Sequence, residues 1–134
     1  FAACVAGGAR AVGGFSRGAR LAARFCAQRS DVDAFVACGF PFHPPGEPAA
    51  RAGLATFLHV PTPTVLVQGT RDSHGSQADV RGYALPPHVE VVWMPDGNHR
   101  LVPRARSAQS EDQLRAQAAD AIVAFLRRTA TPPP

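Results

Sequence analysis

A serine framed by two glycines stands near the start of the chain, in the run Gly14-Phe15-Ser16-Arg17-Gly18. This run matches the pattern G-x-S-x-G of a nucleophile elbow, in which a strand turns sharply into a helix and exposes the serine hydroxyl. The glycines are needed because side chains two residues before and after the serine would collide with neighbouring backbone. A hydroxyl placed in this way can attack a carbonyl carbon if a base accepts its proton.

Two further residues follow in the order serine, acid, histidine that this kind of elbow requires. Asp72 lies in the run QGTRDSHG, and His99 lies in the run PDGNH. His99 would accept the serine proton, and Asp72 would hold the imidazole in the correct tautomer. The backbone N–H of Arg17 would donate to the oxyanion. We predict Ser16, Asp72 and His99 as catalytic residues, with no metal and no organic cofactor.

Each of the three residues also has a less specific explanation. Ser16 could be an ordinary serine at a helix N-terminus, Asp72 a turn residue and His99 a solvated loop residue. Asp79 is the nearest rival acid, but it lies well beyond the end of the preceding strand.

Four other histidines compete for the role of the base: His43, His59, His74 and His88. Only His99 combines a position after a strand with the expected order of the three residues. His74 is close to Asp72 in sequence and is therefore expected beside the site. We predict a pocket lined by Phe15, His43 and His74.

The elements that must position these residues follow from the apolar pattern. Strand-length apolar runs occupy residues 9–14, 33–39, 64–69 and 89–94, and helical spacing follows Ser16. Residues 40–51 contain four prolines, which exclude regular structure. Strands that alternate with helices predict an α/β fold with a mostly parallel sheet and helices on both faces. In such a sheet, reactive groups gather beyond the C-terminal strand ends.

The last predicted element is a helix. Ser110 can cap its N-terminus, with Gln113 three residues later in the capping-box position. One apolar face then follows, made of Leu114, Ala118, Ala121, Ile122 and Phe125. We expect one domain over residues 1–128 and a disordered, proline-rich tail over residues 129–134.

The composition excludes several functional classes. The net charge is +4, but every one of the 14 basic residues is an arginine, and the arginines are scattered instead of forming a nucleic-acid-binding face. No apolar run approaches the length of a membrane span. The three cysteines, Cys4, Cys26 and Cys38, have no metal or disulfide spacing. We expect a cytoplasmic protein that binds neither nucleic acid nor membrane.

Four segments together resemble a known family. The runs GGFSRGAR, CGFPFHPPG, VLVQGTRDSHG and MPDGNHRL are similar to those of α/β-hydrolases of the dienelactone-hydrolase-related group. Within that group they are most similar to bacterial relatives of the testis-expressed hydrolase-like protein and of a hydrolase-like subunit of the NSL chromatin complex. The resemblance implies the same triad, Ser16, Asp72 and His99. The leading interpretation is a serine hydrolase that cleaves small-molecule esters through an acyl-enzyme intermediate. The alternative is a non-catalytic, hydrolase-like scaffold that binds a protein partner.

The resemblance also implies that the chain is the C-terminal part of the α/β-hydrolase fold. The fold normally places several strands before the elbow, including the one whose loop gives the second oxyanion donor. We therefore expect residues 10–14 to form an unpaired sheet edge, with Arg17 as the one remaining donor. On this view the chain alone would be poorly stable and nearly inactive.

Overall fold

The computed structural model describes residues 2–6 and 9–130, and strands and helices alternate along this part of the chain. The strands are β1 (Ala2–Ala6), β2 (Ala9–Phe15), β3 (Ala34–Cys38), β4 (Thr64–Gly69) and β5 (Val89–Met94). The helices are α1 (Arg17–Ala27), α2 (Ala52–Leu58), α3 (Gln77–Arg81) and α4 (Glu111–Ala130). The four strands and two long helices predicted from the sequence are all present.

The strands form a single sheet in the order β1-β2-β3-β4-β5. Strands β2 to β5 are mutually parallel, which confirms the predicted sheet. The expectation of an unpaired edge at residues 10–14 is wrong, because β1 pairs antiparallel with residues 9–13 of β2. β1 was not predicted, because its short run does not alternate between apolar and polar residues. It is a strand because it pairs with β2.

Helices cover both faces of the sheet. On one face, the small buried residues Ala19, Ala22 and Ala23 let α1 approach the strands closely, and Phe35 and Phe57 extend the same core. On the other face, α4 packs against β2, β3, β4 and β5. Every residue of β4 is buried, as expected for a central parallel strand covered on both sides.

The N-terminus of α4 has the predicted capping box. The Ser110 hydroxyl accepts from the Gln113 N–H, and the Gln113 side chain accepts from the Ser110 N–H. α4 continues through Thr129 and Ala130, two residues past the predicted domain end, and residues 131–134 lie outside the described residues. Although α4 is 20 residues long, no helix in the described ranges is apolar enough over a sufficient length to cross a bilayer.

Two short helices and irregular segments connect the strands of the sheet. Residues 40–51 contain neither helix nor strand, as their prolines predict. The sequence analysis did not predict α2 and α3, because helices of seven and five residues are too short to show a reliable period.

We expect Leu114→Ala to lower the free energy of unfolding by about 2–5 kcal/mol, because Leu114 is fully buried and its removal leaves a cavity between α4 and the sheet. Val123→Ala on the same helix is the matched control, because Val123 is 44% exposed, and it should change the stability by less than about 0.5 kcal/mol. Urea denaturation followed by circular dichroism measures both. Equal losses for the two variants would contradict the packing described for α4.

Candidate functional site

Ser16 occupies a strained turn between β2 and α1. Its backbone dihedral angles are φ 53° and ψ −118°, a conformation that costs energy for any residue with a Cβ atom. The Ser16 N–H donates to the Cys38 carbonyl at 2.9 Å, which ties the turn to the end of β3. The Ser16 hydroxyl does not cap α1. The geometry is therefore that of an elbow-like, partly buried serine and not of an ordinary N-cap serine.

Gly14 makes this turn possible because α1 passes directly over it. A Cβ atom on Gly14 would lie 2.4 Å from the carbonyl carbon of Gly18 and 2.6 Å from the nitrogen of Ala19. Both of these are backbone atoms, which cannot swing aside as a flexible side chain can. The first glycine of the G-x-S-x-G run therefore has a steric function in the fold.

Asp72 lies in the turn after β4 and is 1% exposed. Its carboxylate accepts hydrogen bonds from Gln68 Nε2 at 3.0 Å and from the His74 backbone N–H at 2.8 Å. His99 Nδ1 lies 3.0 Å from each of the two carboxylate oxygens. These donors replace the water that a buried carboxylate loses.

The loop that carries His99 is held tightly against the end of β4. A Cβ atom on Gly69 would lie 2.3 Å from the Gly97 carbonyl oxygen, so only glycine permits this approach. The Arg71 N–H donates to the same carbonyl at 2.9 Å. Asp96 accepts from Arg104 Nε at 2.8 Å, and this hydrogen bond holds the pKa of Asp96 well below its usual range.

The structure brings Ser16, Asp72 and His99 together in one hydrogen-bonded chain. Ser16 Oγ lies 2.8 Å from His99 Nε2, on the opposite side of the ring from Asp72. Because the carboxylate can only accept, Nδ1 of a neutral His99 carries the ring proton. Nε2 then has a free lone pair and accepts a hydrogen bond from the Ser16 hydroxyl. This is the arrangement in which a histidine can act as a general base toward a serine.

Arg17 is the first residue of α1. Its backbone N–H therefore has no acceptor within the helix and points, with the helix dipole, toward the region of Ser16. The N–H can stabilise negative charge that develops on a substrate oxygen. The sequence analysis assigned this residue the same role.

The predicted pocket residues differ in their positions. Phe15 is 45% exposed, with its ring centroid 5.6 Å from that of His99. The His74 ring lies 4.2 Å from the His99 ring, so His74 adjoins the site as expected. His43 is 5% exposed, and its backbone carbonyl accepts a hydrogen bond from His74 Nδ1, so its side chain has little surface available to a ligand. Its place in a pocket stays a prediction. The sequence alone did not reveal that the His43 ring is buried.

The remaining candidates lie elsewhere. Asp79 binds His43 and caps α3, and it makes no hydrogen bond to His99. His59 and His88 lie away from Ser16 and form hydrogen bonds with the backbone carbonyls of Ala55 and Val60. Burial raises the pKa of both Cys26 and Cys38 to about 11, so these thiols stay protonated near neutral pH. Within the described residues, no three His, Cys, Asp or Glu side chains are arranged to hold a metal ion.

The sequence did not predict that Gln68 would bind Asp72 or that Asp79 would pair with His43. Gln68 is fully buried in β4, where its amide binds Asp72 and both backbone groups of Phe40. A glutamine inside the apolar run TVLVQG was the available signal, because a buried amide must find partners. The ion pair of His43 Nε2 with Asp79 Oδ2, at 3.0 Å, had no local signal.

The pKa values of this ion pair shift in opposite directions. Burial lowers the pKa of His43, but hydrogen bonds to the Pro44 carbonyl and to Asp79, with the charge of Asp79, outweigh it and raise the pKa above 6.5. Burial raises the pKa of Asp79, but hydrogen bonds from His43 and Ser76 outweigh it and lower the pKa below 3.8. Both shifts favour the charged forms.

We expect Gly14→Ala to reduce the free energy of unfolding by about 1–3 kcal/mol and to displace the turn that holds Ser16, because the new methyl group overlaps α1 backbone. Gly82→Ala is the matched control, since a Cβ atom there would come no closer than 3.3 Å to other atoms and the φ of −79° suits alanine. Denaturation curves for both variants measure the effect. A Gly14→Ala protein as stable as the Gly82→Ala protein would refute the close contact.

We expect the stability difference between the wild type and Asp79→Asn to depend on pH, because asparagine keeps the cap of α3 but removes the charge opposite His43. The difference should be largest between pH 3.8 and pH 6.5, the ordinary pKa values of the two groups. It should shrink as the pH rises through the raised pKa of His43, and also as the pH falls through the lowered pKa of Asp79. Urea titrations across this range measure it, and a difference that is constant with pH would exclude the ion pair.

Comparisons with known proteins identify chains of similar fold. The chain is similar in structure to an alpha-beta serine hydrolase homologue from Coxiella burnetii, with 18% identity, a TM-score of 0.57 and coverage of 88% of this chain and 48% of that one. It is similar to the esterase domain of a Rhodothermus marinus protein, with 15% identity, a TM-score of 0.65 and coverage of 90% and 61%. A protein of unknown function from Agrobacterium tumefaciens matches with 18% identity, a TM-score of 0.58 and coverage of 92% and 54%.

These likenesses concern the fold, and the chain spans about half the length of the solved structures it matches. A search of curated proteins found no match. The family model described as "Alpha/beta hydrolase domain" matches residues 4–127, nearly the whole chain. The chain therefore belongs to the α/β-hydrolase domain family.

Proposed function

We propose that the protein is a serine hydrolase that cleaves small ester substrates through an acyl-enzyme intermediate. The observation that carries the proposal is the continuous hydrogen-bonded chain from Ser16 Oγ through the His99 imidazole to Asp72. The strained backbone of Ser16 supports it further, because strain of this kind persists where the surrounding fold enforces it and is common at active sites.

The first half of the reaction acylates Ser16. Its Oγ attacks the ester carbonyl carbon while His99 Nε2 takes the hydroxyl proton. The carbonyl oxygen becomes an oxyanion that accepts from the Arg17 N–H. When the tetrahedral intermediate collapses, the bond to the leaving alkoxide breaks and His99 returns the proton to that oxygen. Asp72 remains ionised and stabilises the imidazolium throughout.

The second half repeats these steps with water. His99 Nε2 removes a proton from a water molecule, whose oxygen attacks the acyl carbon attached to Ser16 Oγ. The collapse of this second intermediate releases a carboxylic acid and returns the proton to Ser16. The exposed ring of Phe15 beside the site offers apolar surface to the acyl or alcohol portion of the ester.

We also propose that the protein belongs to the dienelactone-hydrolase-related group. The support is the combination of the GGFSRGAR elbow with the proline-framed histidine segment GFPFHPPG. In the structure these two segments adjoin, since a Cβ atom on Gly39 would lie 2.9 Å from the Phe15 ring. The rival interpretation, a non-catalytic scaffold for a protein partner, requires no hydrogen bond between Ser16 and His99.

We expect a fluorophosphonate probe to label Ser16 covalently, because His99 is positioned to activate the hydroxyl. Ser16→Ala should abolish the labelling, and His99→Ala should slow it by about a thousandfold or more. Intact-mass spectrometry followed by peptide mapping measures the rate and the site of labelling, and hydrolysis of a p-nitrophenyl ester provides the turnover.

Two exposed residues give matched controls for these variants: Ser30 and His59. Ser30→Ala and His59→Ala should label at the wild-type rate. Folded protein that shows no labelling of Ser16, or labelling at an equal rate in His99→Ala, would favour the scaffold interpretation.

A further inference from the structure

His74 touches two of the three residues in the proposed triad. Its backbone N–H donates to Asp72 Oδ1 at 2.8 Å. Its ring lies against that of His99, with centroids 4.2 Å apart and planes inclined by 42°. Phe15 also contacts the His99 ring, at 5.6 Å between centroids. The orientation of the base is therefore restricted by two neighbouring rings in addition to its own hydrogen bonds.

His43 holds His74 by two reciprocal hydrogen bonds. The His43 N–H donates to the His74 carbonyl at 3.1 Å, and His74 Nδ1 donates to the His43 carbonyl at 3.1 Å. These bonds join the turn after β4 to the proline-rich segment that follows β3. Because Nδ1 faces a carbonyl, it must carry a proton, which sets the tautomer of a neutral His74 ring.

The His43 ring faces an acceptor at each nitrogen. Nδ1 lies 2.7 Å from the Pro44 carbonyl oxygen, and Nε2 lies 3.0 Å from Asp79 Oδ2. A neutral imidazole has one N–H and can satisfy only one of these acceptors, whereas an imidazolium satisfies both. The carboxylates of Asp79, on α3, and Asp72, after β4, are the charged groups that act on this ring, and both favour the protonated form. The His43 side chain is almost fully buried, so an unsatisfied nitrogen would be costly.

We propose that His43 is an imidazolium that positions the catalytic base: paired with Asp79, it fixes His74, and His74 fixes the ring of His99. The inference rests on the proposed function, because it gives His99 the role of base. His43 is a positioning residue in this scheme, since it acts only through His74. Small displacements of a base from its nucleophile slow the chemical step more than they weaken substrate binding.

Variants of His74 distinguish its ring contact with His99 from its hydrogen bond to the His43 carbonyl. We expect His74→Ala to lower kcat for a p-nitrophenyl ester about tenfold while KM changes less than about twofold. His74→Phe keeps a ring beside His99 and should restore kcat to within about threefold of the wild type. His74→Asn keeps a donor near the His43 carbonyl but no ring, and it should remain as slow as His74→Ala. A His74→Ala protein with a raised KM but an unchanged kcat would overturn the proposal. So would a His74→Phe protein whose kcat stays as low as that of His74→Ala.

Variants of the ion pair test His43 itself. We expect His43→Gln to reduce kcat about tenfold, as His74→Ala does, because both release the His99 ring. If His43→Gln does not fold, Asp79→Asn provides the same test from the partly exposed end of the pair. His59→Gln, at an exposed histidine, is the matched control and should have wild-type kcat and KM. Wild-type kcat in both His43→Gln and Asp79→Asn would refute the positioning role.

Proton NMR of the ¹⁵N-labelled Ser16→Ala protein tests the same inference without turnover. We expect two ring N–H signals from His43 at pH 7, one of which is lost in the Asp79→Asn background. The low-field Nδ1–H signal of His99, bonded to Asp72, should shift in His74→Ala and return in His74→Phe. A single ring N–H signal from His43 would overturn the proposal. So would a His99 Nδ1–H signal that has the same chemical shift in His74→Ala as in the parent protein. Because these signals need no acylation, they can be measured even if Ser16 fails to react with the fluorophosphonate.

Discussion

The buried carboxylate of Asp72 is the group on which the arrangement of the site depends. A carboxylate removed from water is strongly destabilising unless hydrogen-bond donors replace its hydration shell. Gln68, His74 and His99 bring these donors from a strand, a turn and a separate loop. Each donor must stay in place for the charge to be tolerated. The hydrogen bonds to the Asp72 carboxylate therefore hold the end of β4 and the loop after β5 together, in addition to packing.

Parallel strands provide the second constraint. The candidate serine, acid and histidine follow β2, β4 and β5, and because these strands run in one direction, the three residues emerge at the same edge of the sheet. Ser16 has a positive φ, which is strained for a residue with a Cβ atom. The hydrogen bond to the Cys38 carbonyl and the close packing of α1 over Gly14 hold it in this conformation. The Ser16 hydroxyl is therefore held by the turn between a strand and a helix of the central sheet.

The polar interior around His43 differs from a ligand pocket. Its ring nitrogens bind Pro44 and Asp79, its backbone binds His74, and its side chain has almost no contact with solvent. A buried charged pair is tolerated only when its remaining donors and acceptors are satisfied, as they are here. Such a pair typically adds little to net stability compared with apolar packing, and in the proposed scheme it fixes one geometry. Three loops consequently share one hydrogen-bonded network beneath the site.

The sequence by itself determined the parallel α/β framework, the capping box of α4 and the strand ends at which Ser16, Asp72 and His99 stand. These features follow from local patterns, since strand runs, helical periods and turn glycines each act over a few residues. Only the tertiary structure decided that β1 covers the edge of β2, that Gln68 supports Asp72, and that His43 faces inward to Asp79. Those contacts join irregular loops and distant strands, and irregular backbone carries no period from which its partners could be predicted.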